Sequence, residues 1–132
     1  MHTLEILSEI DKISEVEALI DKVCSDHSVN EDLYGNILIA VTEATNNAII
    51  HGNHKESSKR VKLNVDKIDK EIIFSVEDEG SGFDFNDLPD PTAPENIEKP
   101  DGRGIFLMKN LSDKIEFFEN GSKVNITFVL HE

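Results

Sequence analysis

The chain has 132 residues, 38% of them hydrophobic and 30% charged, with a formal net charge of −14. That length suits one domain with a core of its own, so a single domain over 1–132 is expected. The acid excess argues against a nucleic-acid or anionic-membrane surface, and no apolar run approaches the roughly 18 residues of a membrane span. The N-terminus, MHTLEILSEIDKIS, lacks the basic and apolar regions of a secretory signal, so a cytoplasmic protein is expected. Its partner would be a basic or an ordinary protein. The lone Cys24 falls on the apolar face of a predicted helix and reads as a core residue in a reducing compartment.

His2 to Leu7 reads as a first strand. From Glu9 to His27, Ile13, Val16, Leu19, Ile20, Val23 and Cys24 recur at helical spacing, and Ser14 with Glu17 predicts a capping box. Asp26 to Asn30 reads as a break, with Asn30 or Glu31 capping the next helix. That helix, Leu33 to Asn53, places Leu33, Ile37, Ala40, Val41, Ala44 and Ala48 on one face. Gly52 and Asn53 end it, as residues tolerant of a left-handed backbone. The period then changes to two. Val61, Leu63 and Val65 alternate with polar residues, Asp69 and Lys70 turn, and Ile72, Phe74 and Val76 alternate again, which predicts a hairpin.

The segment 84–101 holds all four prolines of the chain, six acids and one lysine, and it lies between two glycine pairs. Connections of this length in a small domain are lids or linkers, and the position favours a lid. Gly102-Arg103-Gly104 opens a short helix, Ile105 to Leu111, with Ile105, Met108 and Leu111 on its buried edge. Lys114 to Glu119 and Lys123 to Leu130 form a closing hairpin around Asn120-Gly121. The element order predicts an α+β fold, a two-layer sandwich of a mostly antiparallel sheet with helices on one face.

Three polar features stand outside this packing pattern. Glu43 and Asn47 are four apart, so they neighbour one another on a mostly apolar helix. A carboxylate there can take a proton from a hydroxyl or water, and an amide oxygen can ligate Mg²⁺, a hard ion that shares its shell with phosphate. The second feature is Asp78-Glu79-Gly80-Ser81-Gly82-Phe83 at a strand end. Asp78 can accept a hydrogen bond from an exocyclic amine such as that of adenine, and the glycines let backbone approach a flat ring. The third is Gly102-Arg103-Gly104, where free amides at a helix N-terminus beside a guanidinium suit phosphate. Taken singly, each also reads as an ordinary exposed helix face, an acidic turn or a weak Gly-x-Gly. His51 and His54 have no third partner for a metal, and His51 reads as lining the site that these three features would form.

Together, EATNNAIIHGN, DEGSGF and GRGIFLMKNLSD, in this order and with a proline-rich gap, closely resemble the N, G1 and G2 boxes of the GHKL (Bergerat-fold) ATPases. Within that superfamily the chain resembles the anti-sigma factor serine/threonine kinases of bacterial partner switching. Glu43, Ala44, Asn47, Ala48, His51 and Gly52 fill the places of that group's N box. The resemblance implies ATP and Mg²⁺ as cofactors, with Asn47 holding the metal and Glu43 as general base. It implies Asp78 on the adenine amine, Gly80, Gly82 and Phe83 shaping the base pocket, and Gly102, Arg103, Gly104, Ile105 and Phe106 around the triphosphate. The segment 84–101 would be the ATP lid. Members often carry a basic residue just before the G2 glycines; here Pro100 and Asp101 stand there, with Lys99 one step back. The implied activity is phosphorylation of a serine on an anti-anti-sigma (STAS-domain) partner, with sequestration of a sigma factor and a homodimeric state. Two other functions remain open on the residues: an ATP-dependent partner-binding module that transfers nothing, and a detached histidine-kinase catalytic domain.

Overall fold

A computed structural model describes residues 2–53, 56, 58–80, 105–118 and 122–130, together with the backbone of 100–104. The elements are β1 (His2–Leu7), α1 (Ile13–Asp26), α2 (Glu31–Asn47), β2 (Arg60–Ile68), β3 (Glu71–Glu77), α3 (Pro100–Leu111), β4 (Lys114–Phe118) and β5 (Lys123–Val129). The sheet runs β1-β2-β3-β5-β4, and every neighbouring pair is antiparallel. This is the expected two-layer α+β arrangement. Most of the expected lid, and the Asn120-Gly121 turn, lie outside the described residues.

The strand period decides which face of the sheet is covered. Val61, Leu63, Val65, Ile72, Phe74, Val76, Val124, Ile126 and Phe128 are buried in one cluster with α1, α2 and α3. Their register builds continuous apolar rows, such as Leu4, Leu63, Val76, Val124 and Phe117 across all five strands. Phe74 and Phe128 meet edge to face at 6.0 Å and 82°, the geometry aromatic quadrupoles favour. The opposite face carries Glu5, Lys62, Glu77 and Lys123 in one cross-strand row. Signs alternate along it, so each neighbour attracts, worth about 0.2–1 kcal/mol per pair. Cys24 is a core residue as expected: burial first, and then Asp21, push its thiol up to about 11.

The helices depart from expectation at their ends. A 3₁₀ turn, Ile10–Lys12, precedes α1, so Ser14 already lies inside the helix. Its hydroxyl donates to the Asp11 carbonyl at 3.2 Å, and the predicted capping box does not form, because a cap needs extended backbone. Asn30 does cap α2: its backbone is extended and its side chain accepts from the Leu33 N–H at 2.8 Å. The helix predicted to reach Asn53 is regular only to Asn47, and Ala48–Gly52 widen into one π turn. The Asn53 N–H donates to the Ala48 carbonyl at 2.8 Å, five residues back. Such a turn inserts one residue into the helix and re-aims the chain beyond it. Asn53 itself is right-handed, with φ −95°, so the left-handed ending expected there is absent. Left-handed backbone occurs instead at Ser28, in the break, and at Asp69, in the hairpin turn. Finally, α3 starts at Pro100, five residues before the expected Ile105; proline suits a first helical position, where no N–H is needed.

Gly35 lies inside α2 with open space where a Cβ would stand. Nothing in the packing requires glycine there, and glycine costs about 0.8–1.0 kcal/mol relative to alanine inside a helix. Gly35→Ala should raise the urea midpoint and stabilise the chain by about 0.5–1 kcal/mol; a lower midpoint would show that the position needs glycine.

Candidate functional site

The π turn brings the end of α2 against the end of β3. There Gly52 and Asp78 interlock. A Cβ on Gly52 would lie 2.3 Å from the Asp78 carboxyl carbon, and one on Gly80 would lie 2.1 Å from the Gly52 carbonyl oxygen. Real Cβ atoms do not come so close: at Gly80 the clash is with backbone, so glycine is required, and at Gly52 it is with the Asp78 carboxylate, which any side chain there would displace. The carboxylate is held on its own turn as well: its Oδ1 accepts from the Gly80 N–H at 2.7 Å, and the Asp78 N–H donates to the Ser122 carbonyl at 2.9 Å.

Beside Asp78 opens a pocket of about 510 Å³, its mouth included. From α2 and the π turn come Ala44, Asn47, Ala48, His51 and Gly52; Val76 and Asp78 come from β3 and the residue after it. Ile105 and Met108 close it from α3, and Phe117, Ser122 and Val124 from the last two strands and the approach to β5. The walls are mostly aliphatic or aromatic, with a few polar groups converging, as in a site for a flat heterocycle.

Each polar group has a distinct electrostatic state. Burial raises the Asp78 carboxyl pKa above its usual 3.8, and Glu77 adds to this; the Gly80 amide and Lys59 act the other way. Asn47 is half-buried, yet its amide nitrogen is buried without a hydrogen-bond partner. Leaving such a group unpaired costs about 1–3 kcal/mol. Oxygen and nitrogen exchange places when a carboxamide turns over, so this position can offer oxygen to a cation or N–H to a phosphate. A group carrying both satisfies it, and Mg²⁺ with a nucleotide is such a group. His51 is half-buried on the pocket wall.

The structure divides the residues expected in the site. Asn47, His51, Gly52, Asp78 and Ile105 line the pocket, and Gly80 abuts it through Gly52. Glu43 stands one turn before Asn47, half-buried and outside the lining. Phe106 is 42% exposed and does not line the pocket. Gly102, Arg103 and Gly104 lie within the opening turns of α3 rather than ahead of the helix. By helix position the free amides within α3 are therefore those of 101 and 102, since proline has none and the amide of 103 makes the first helical bond. Gly82 and Phe83 lie outside the described residues. Met108, Phe117, Ser122 and Val124 were not anticipated. Met108 and Val124 match core positions at helical and strand spacing, and Ser122 acts on Asp78 through its backbone, which no residue type announces.

The Asp78 pKa shift makes a stability prediction. Because the folded chain holds the proton more tightly, this contribution is fully present below the usual carboxylate range and is lost as pH rises through the raised value. At neutral pH the ionised carboxylate therefore costs stability. Asp78→Asn keeps an oxygen for the Gly80 N–H, so it should be more stable than the parent at neutral pH. The gain should disappear below about 3.8, where the carboxyl is protonated folded or unfolded. Urea melts giving the same difference at both pH values would contradict this.

Comparison with known proteins identifies the family. A family model described as histidine kinase-like ATPase domain matches residues 6–128. An anti-sigma F factor of Oceanobacillus iheyensis is 33% identical over 98 residues, covering 69% of this chain and 66% of that protein. A serine-protein kinase RsbW of Bacillus velezensis is 26% identical over 123 residues, covering 89% of this chain and 77% of that protein. The chain thus spans a little under two thirds of the length of the anti-sigma F factors it matches. The crystal structure of the RsbU and RsbW domains of a Mycobacterium tuberculosis protein superposes with a TM-score of 0.62. It covers 99% of this chain and 32% of that one at 15% identity, a likeness of fold. With that family model matching residues 6–128, nearly the whole chain, the chain belongs to the histidine kinase-like ATPase domains.

Proposed function

We propose that the chain is an anti-sigma serine/threonine kinase, which binds Mg-ATP in this pocket and phosphorylates a serine of a STAS-domain partner. The observation that carries this is the pairing, in one pocket, of the locked Asp78 carboxylate with the unpartnered Asn47 amide. Asp78 accepts from the exocyclic amine of adenine; guanine would present a carbonyl there and be repelled. Ala48, Val76 and Met108 give the ring apolar contact. Asn47 would hold Mg²⁺, which neutralises phosphate charge and orients the phosphoryl group. The free amides at the start of α3, with Arg103, take the phosphate oxygens. Glu43, which is outside the pocket lining, receives the proton of the acceptor serine as its oxygen attacks the γ-phosphorus and ADP leaves. The net charge of −14 opposes a polyanionic nucleotide, so binding should depend strongly on the cation.

The anti-sigma F factors and RsbW kinases among the relatives support extending the reading to partner switching. It includes sequestration of a sigma factor, a homodimer and a cytoplasmic setting. No helix among the described residues is long and apolar enough to cross a membrane. The position of Glu43 outside the pocket lining keeps a second reading in play, an ATP-dependent partner-binding module without transfer.

Two variants separate these readings. Asn47→Ala should abolish Mg²⁺-dependent ATP binding in calorimetry while leaving the fold intact. Glu43→Ala should bind ATP as the parent does, yet lose about 10²–10⁴-fold in phosphorylation of the STAS partner, followed by mass spectrometry. A partner that gains no phosphate from the unaltered chain would favour the non-transferring module. Unchanged ATP affinity in Asn47→Ala would remove the site assignment.

A further inference from the structure

Three successive backbone amides hold the turn that carries the Asp78 carboxylate. The Asp78 N–H donates to the Ser122 carbonyl at 2.9 Å, and the Gly80 N–H to the Asp78 carboxylate at 2.7 Å. Between them, the Glu79 N–H donates to Asn53 Oδ1 at 2.8 Å. Of the three acceptors, Asn53 is the one side chain brought from a distant part of the sequence. It is fully buried, at 0% exposure.

The rest of Asn53 is committed as completely. Its Nδ2 donates to Ser8 Oγ at 2.7 Å and to the Arg60 carbonyl at 3.0 Å. The Ser8 hydroxyl in turn donates to the Lys59 carbonyl at 3.0 Å. The Arg60 N–H donates to the Glu79 carboxylate. Both backbone groups of Arg60 are thus tied to this cluster, one through Asn53 and one through Glu79. The pattern admits one orientation of the amide. A carbonyl, which only accepts, faces Nδ2, and an N–H, which only donates, faces Oδ1. Neither a carboxylate nor an apolar side chain of the same size meets both demands.

We infer that Asn53 is a positioning residue of the nucleotide pocket, fixing the Asp78–Gly80 turn against Gly52 and thereby setting the preference for adenine over guanine. Asn53 touches no substrate; it acts by holding the Glu79 amide, one peptide from the acceptor carboxylate. The Asp78 carboxylate lies directly against Gly52. With the Cβ position of Gly52 2.3 Å from the carboxyl carbon, release of the turn lets the carboxylate swing away from the direction an adenine amine needs. A group that only bolsters the fold would lower stability without changing which base is chosen. This inference rests on the reading of Asp78 as the adenine acceptor.

The test compares Mg-ATP and Mg-GTP affinities by calorimetry for the unaltered chain, Asn53→Ala and Ser8→Ala. Ser8→Ala removes one partner of Asn53 and leaves its bond to Glu79, so it should lower the melting temperature and keep the preference for ATP. Asn53→Ala should reduce the ATP-to-GTP preference by about tenfold, the effect of one lost positioning hydrogen bond. A preference that survives in Asn53→Ala, or that falls equally in Ser8→Ala, would overturn the inference alone. An unaltered chain with no preference for ATP would overturn the adenine reading of Asp78 and the inference with it. Hydrogen exchange on the unaltered chain gives an answer even where Asn53→Ala fails to fold. The Glu79 amide should be protected like a strand amide, and exchange as fast as a free turn would overturn the positioning role.

Discussion

Asp78 is packed against Gly52 so closely that not even a methyl group could stand between them. This contact joins the end of the central helix to the end of the central hairpin, and the pocket opens on its flank. Its geometry explains several features that are otherwise unrelated. The π turn at Ala48–Gly52 delivers the Gly52 backbone to the carboxylate. Gly80 closes on the Gly52 carbonyl from the other side, again with no room for a side chain. The carboxylate is partly desolvated as a result, and its pKa rises. A group that resists ionisation is one that a hydrogen-bond donor in the pocket would relieve.

The helix α2 serves packing and site at once because its two faces differ. Ile37, Ala40, Val41 and Ala44 are buried in the core shared with the sheet and α1. One step round the helix, Ala44 and Asn47 line the pocket, joined by Ala48 and His51 of the π turn. Alanine at 44 and 48 fits both demands, since it fills little of the space a planar ring needs. Asn47 sits in this row without a partner for its amide nitrogen. A fold that needed only stability would favour an apolar residue there, which is why the proposed metal-binding role falls on Asn47.

The strands were legible because period two survives every residue-level irregularity. Val61 to Val65 and Ile72 to Val76 alternate in sequence and in burial alike; Val124 to Phe128 alternates in sequence, but Thr127 is buried between Ile126 and Phe128. The helices were legible by stripe but not by end. Ser14 and Glu17 spell a capping box, yet the chain is already helical from Ile10, so the local motif was overridden by the turn before it. Gly52 was readable as a glycine of necessity, but for the wrong reason. Its freedom serves an approach to Asp78, about 90 Å away along a fully extended chain, and no local pattern records that. The same holds for Ser122, which acts through its carbonyl. It holds too for Asn53, which looks like a helix terminator and instead bonds three separate parts of the chain. Contacts made by backbone, or between residues distant in sequence, leave no signature in residue type.

The central claim is that one pocket, floored by α2, places a base on Asp78 and a metal on Asn47. A crystal structure with Mg²⁺ and a non-hydrolysable ATP analogue tests it most directly. The exocyclic amine of adenine should lie within hydrogen-bond distance of the Asp78 carboxylate, with Mg²⁺ bound to the Asn47 side-chain oxygen. Nucleotide bound elsewhere, or a metal held without Asn47, would contradict it.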